Sequence, residues 1–260
     1  RDSSTSRGLG DVYKRQTVIT ALTVVTSSLS LPEMDHTRSA GSGKDERSVW
    51  SFRHLALGVA AIFFYVGAEV SIGVNVNLHA MQMIESGHKL SFFGNDNISL
   101  LGLDLGIPAL LATLYWGGMM AGRIIFSFFS KIPPRTLLTV MTSTAAILVA
   151  TAMIADNLWI LVSVGLLHST MWGCIFTLAV AGLGHHTSRA AGVFMTGVFG
   201  GAVFPVAQGI LADSLGNWQW TWSIALICEL FMLFYALRGC RVTDREALDN
   251  IAGEIPSDPG

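Results

Sequence analysis

Glu69 is a carboxylate set in the apolar run FFYVGAEVSIGVNVNLHAM, with Tyr65 four residues before it and Asn75 and Asn77 after it. A charge in such a run is costly unless it faces water, pairs with another group or stays protonated. The chemistry open to it is solute or ion binding in a polar cavity, or a hydrogen bond that fixes helix packing. A second run, YWGGMMAGR, offers Trp116 as a stacking surface or a packed aromatic, and Arg123 as a snorkelling anchor or a gating group. A third, HSTMWGCIFTLAVAGLG, puts His168 inside an apolar segment, where it can contact solute, handle protons or serve as a neutral structural histidine. Gln208 is the polar group of a fourth run, and Glu229 stands alone in a fifth and ranks below Glu69.

Other chemistries find no support in the residue pattern. Cys174, Cys228 and Cys240 match neither a metal site nor a disulfide framework and read as small buried hydrophobes. His185 and His186 are adjacent, a poor pair for a metal. No phosphate-binding glycine loop or nucleophile elbow occurs, so neither an enzyme nor a cofactor is expected.

The elements that must hold these residues are membrane helices. Of the 260 residues, 51% are hydrophobic and 13% charged, about half the usual charged share of a soluble domain. The charges spare long stretches between Leu55 and Leu237, each near the ~20 residues that a bilayer core demands. Six spans are expected, at about 53–78, 107–130, 136–155, 158–183, 189–215 and 219–237. Gly118 and Gly122, and Gly197 and Gly201, are small-xxx-small pairs suited to close helix approach. Pro205 is expected to kink the fifth span. Trp50, Trp218, Trp220 and Trp222 stand at span ends, where indoles favour the interface.

Outside the 53–238 bundle, residues 1–16 resemble a translated adaptor sequence. Residues 17–31 are too short to span and read as the end of a truncated sixth helix. Residues 32–52 read as a charged linker between bundles, and 239–260 as a tail with one short helix. Beyond residue 16, eleven Lys and Arg fall on the side of the linker and tail, and only Lys89 on the other. Cytoplasmic loops carry the excess of such residues, so the linker and C-terminus are expected in the cytoplasm.

In order and spacing, YVGAEVSIG, YWGGMMAGR, MWGCIFTLAVAGLG and GVFGGAVFPVAQGILAD resemble the seventh, eighth, tenth and eleventh helices of the fucose–galactose–glucose:proton symporters. These form a branch of the major facilitator superfamily. The resemblance implies an all-α membrane protein, here the six-helix C-terminal half of a twelve-helix fold, in the inner membrane. It implies a monosaccharide substrate, a coupling proton (or sodium), a lipid bilayer and an N-terminal six-helix partner half, with no nucleic acid. Two bundles would rock about a site at the midplane. The family's acidic position in its seventh helix falls on Glu69, while its best-described proton-carrying acids belong to the other half. Tyr65, Glu69, Asn75, Asn77, Trp116, His168 and Gln208 are the expected substrate-binding residues, lining one cavity. One departure is Trp172-Gly173-Cys174, where the family often has Phe-Pro-Thr or Trp-Pro-Cys, so the bend that proline assists can differ here.

Overall fold

The computed structural model describes residue 20 and residues 48–100, 103–128 and 131–254. The chain divides into Arg1–Glu46 and Arg47–Gly260. Apart from Thr20, the expected adaptor tract, truncated helix and most of the linker lie outside the described residues. The helical bundle belongs to the second unit.

Helix α1 (Arg53–Glu85) is 33 residues long, or roughly 50 Å at 1.5 Å per residue. It runs about two turns beyond the expected end at Leu78, because no Gly or Pro interrupts it between Leu78 and Ser86–Gly87. A short antiparallel hairpin comes next, β1 (Asn97–Leu100) and β2 (Leu103–Gly106), in the register Asn97↔Gly106. The sequence reading assigned no structure to that segment. Helices α2 (Ile107–Ser127) and α3 (Pro134–Ala155) each have proline in the first turn, where a missing N–H costs nothing. Asp156, in the left-handed region at φ 49°, turns the chain sharply out of α3. The Asn157 side chain then caps α4 (Leu158–His168) by accepting from the amides of Trp159 and Ile160.

The fourth expected span is not one helix. It is α4 and α5 (Met171–Ala179), bent by 42° at a break after His168. The fifth comprises α6 (Thr187–Thr196), a 3-10 turn at Gly197–Phe199, and α7 (Gly200–Leu215). Pro205 lies inside α7, and the irregular turn falls upstream of it. The sixth comprises a 3-10 turn at Gln219–Trp222, α8 (Ser223–Phe234) and a π turn at Tyr235–Gly239. The tail holds the expected short helix, α9 (Arg245–Glu254). Among the described residues five helices are long and apolar enough to cross a membrane, or six when α4–α5 counts as one span.

Helix α1 is the hub and touches α2, α5, α7 and α8. Phe64 stacks on Phe231 of α8 with centroids 4.3 Å apart. Gly67 accommodates the Phe204 ring of α7, and a Cβ there would strike it. Both small-residue pairs sit at close approaches. Gly118 and Gly122 face Gly165 and Leu166 of α4, and Gly197 and Gly201 face Val59 and Val66 of α1. Trp222, read as an interface residue, is instead buried and donates from Nε1 to His79 Nδ1 at 3.0 Å. His79 also meets Asp156 Oδ1 at 3.3 Å, which joins the ends of α1, α3 and the last span.

Candidate functional site

Tyr65, Glu69, Gly73 and Asn77 recur every fourth residue on α1 and so form one stripe along the helix. The Tyr65 ring is buried, and its hydroxyl donates to the carbonyl oxygen of His168 at 2.9 Å. That carbonyl lies where α4 ends. An outside donor occupies it, which supports a break in a sequence without proline. Glu69 is half-buried next in the stripe, within electrostatic reach of the Tyr65 hydroxyl, His168 and Arg123. Trp116 lays its indole edge against Gly73, at a spot any side chain would fill, and keeps 42% of its surface exposed. Asn77 is half-buried at the far end of the stripe. Trp172 packs edge-on to Tyr65, with centroids 6.3 Å apart.

His168 is wholly buried, and both ring nitrogens have partners. Tyr115 Oη lies 2.6 Å from Nδ1, and Glu229 Oε1 lies 2.5 Å from Nε2. Glu229 is equally buried, and its Oε2 has no hydrogen-bond partner among the described residues. Glu229, which the sequence presented as isolated, is therefore half of a buried carboxylate–imidazole pair that ties the bend of the fourth span to the sixth. With both nitrogens occupied, the ring has no free polar atom to offer a solute. What it holds is the Tyr115–His168–Glu229 chain, next to the Tyr65–Glu69 stripe.

Asn75 and Gln208 belong to a different cluster. Asn75 Nδ2 donates to Gln208 Oε1 at 2.9 Å and to the Pro205 carbonyl at 3.2 Å. Gln208 Nε2 donates to Thr221 Oγ1 at 3.0 Å. Asn75, Gln208 and Thr221 are all buried, so this chain joins α1, α7 and the start of the last span. Asn75 and Asn77 are two residues apart, hence about 200° apart around the helix, and cannot share a face. The seven expected residues thus occupy two clusters. Tyr65, Glu69, Asn77, Trp116 and His168 lie on one side of α1, and Asn75 and Gln208 lie on the other. Tyr115 and Glu229 were missed as members of the first. Tyr115 stands beside Trp116 in a motif already singled out, and that adjacency was the available signal.

The stripe presents a carboxylate, a carboxamide and an aromatic face, a set that can hydrogen-bond the hydroxyls of a neutral polyol and stack on its ring. Among the described residues no group of three or more metal-ligating side chains occurs.

The fold is similar to the crystal structure of FucP, a major facilitator superfamily transporter, in the outward conformation. The TM-score is 0.67 at 18% identity, over 85% of this chain and 52% of that one. A structure of the E. coli fucose:proton symporter FucP gives the same values. The architecture is therefore an all-α membrane fold, the C-terminal half of the major facilitator arrangement. In sequence the chain is 32% identical over 226 residues to a glucose/galactose transporter of Brucella abortus, covering 85% of this chain and 51% of the relative. It is 34% identical over 226 residues to a putative glucose/galactose transporter of Helicobacter pylori, covering 84% of this chain and 51% of that protein. No family model matches the chain. The chain spans about half the length of these relatives.

Proposed function

We propose that this chain is the C-terminal half of a secondary active transporter that takes up a hexose (glucose, galactose or fucose) together with a proton, by alternating access. The observation that carries the reading is the identity of 32–34% over 226 residues with glucose/galactose transporters. The stripe of Tyr65, Glu69, Asn77 and Trp116 supports it as this half's wall of the solute path. The other wall would come from an N-terminal six-helix half, and rocking of the two bundles would expose the path to either side. In this reading the chain is not an enzyme and resides in the inner membrane. The arginine-rich ends of the spans, including the tail, lie in the cytoplasm. Asn75 and Gln208 would act from behind the wall, holding α7 against α1 rather than touching sugar.

The test is uptake of labelled glucose, galactose and fucose by the transporter that carries this chain, in a transport-deficient host, with and without an uncoupler. Uptake that collapses with the uncoupler, and is lost in Glu69→Gln, is the expected result. Absence of hexose uptake by well-expressed protein would overturn the sugar assignment. Uptake indifferent to Glu69→Gln would return Glu69 to a packing role.

A further inference from the structure

Arg53, at the start of α1, and Arg238 and Arg241, at the end of the last span, surround a cleft of about 380 Å³ that Gly239 and Thr243 complete. The three arginines are exposed, and their side chains make no hydrogen bond or ion pair with the described residues. They are not needed to finish the helix. Arg135 does that, donating to the carbonyls of Ala236 at 3.1 Å and Leu237 at 2.7 Å. The nearby acid Asp244 interacts with His54. Three like charges with no paired acid among the described residues repel one another, so an anion in the cleft lowers the energy of the arrangement.

The surface beneath the cleft identifies the kind of anion. Leu230, Phe234 and Leu237 stand at i, i+4 and i+7 on the last span and are 51%, 41% and 45% exposed. This apolar track runs along the helix into the arginines. Trp50, in the 3-10 turn before α1, is 52% exposed at the same end of the bundle, as interface indoles are. A free anion would use only the cleft, whereas a lipid would use the track as well.

We propose that the Arg53–Arg238–Arg241 cleft binds the phosphate of an anionic phospholipid headgroup, with an acyl chain along Leu230, Phe234 and Leu237. The site is separate from the transport path, and its test does not depend on sugar uptake. The experiment is native mass spectrometry of the full chain in detergent, titrated with phosphatidylglycerol, phosphatidylcholine or inorganic phosphate. Phosphatidylglycerol should be retained over phosphatidylcholine. Arg53→Gln, Arg238→Gln and Arg241→Gln should each weaken that retention about fivefold. Arg241→Lys, which keeps charge and fold, should weaken it less, and Lys131→Gln, off the cleft, should leave it unchanged. Phe234→Ser should weaken lipid retention. Equal retention of the two lipids would overturn the proposal. So would displacement of phosphatidylglycerol by equimolar inorganic phosphate, which would make the cleft a simple anion site, or indifference to all three glutamine variants.

Discussion

The His168–Glu229 pair makes a quantitative prediction. Both side chains are fully buried and meet at 2.5 Å, with Tyr115 Oη 2.6 Å from the other ring nitrogen. Removing one member leaves the other without its partner in a medium that cannot solvate it. Breaking such a buried pair costs about 3–5 kcal/mol. Glu229→Leu should therefore lower the melting temperature by roughly 6–20 °C, at about 2–4 °C per kcal/mol for a domain of this size. His168→Leu should cost a similar amount, because it strands both Glu229 and the Tyr115 hydroxyl. The two costs must not add. Once His168 is gone, Glu229 has lost what it was placed to meet, and an apolar replacement of both is close to neutral for many buried pairs. The double variant should therefore cost no more than either single change, far from the additivity within about 0.5 kcal/mol that independent sites show. The assay is thermal unfolding of detergent-solubilised protein, followed by tryptophan fluorescence, for the wild type, both singles and the double. Additivity within about 0.5 kcal/mol would refute the pairing. So would a Glu229→Leu variant that melts with the wild type.

Asn75→Ala removes two donated hydrogen bonds and orphans the Oε1 of a fully buried Gln208. It should cost about 1–3 kcal/mol, read from the same melts. Gly165→Ala would push a methyl into the backbone of Tyr115 and part α2 from α4. A loss of about 1–3 kcal/mol is expected, whereas Gly117→Ala, at a site with open space, should not destabilise the protein. Trp116→Ala should separate folding from transport. Its ring is 42% exposed, so the melting temperature should move little, while hexose uptake by the transporter that carries this chain should fall severalfold. A large drop in stability with unchanged uptake would assign Trp116 to packing instead.

What could be read from the residues, and what could not, depends on the range of the forces involved. The spans were legible because hydropathy is a property of consecutive residues, and five candidate helices plus one bent pair recover the six expected. Glycine pairs were legible for the same reason, since i and i+4 fall on one helix face whatever the partner is. The face of each polar group was also available in principle, and the 200° between Asn75 and Asn77 should have separated them at once. The identity of partners was not available. Glu229 seemed isolated because the imidazole it meets is 61 positions away, and helical spacing says nothing about contacts between helices. The bend in the fourth span was hidden for a related reason. The resemblance pointed to proline as the source of flexure, but Trp172-Gly173-Cys174 has none. Here the Tyr65 hydroxyl, 103 positions from His168 in sequence, takes the carbonyl at the end of α4. Proline bends a helix by removing a donor, whereas here a side-chain donor from another helix meets the carbonyl at the bend. A bend held in that second way depends on the position of another helix. Tyr65 and Glu69 stand one turn apart on α1, so a motion that draws Tyr65 from His168 also moves Glu69. Shape in the fourth span and charge placement in the candidate site are thus coupled through one hydroxyl, which makes Tyr65→Phe a perturbation of both.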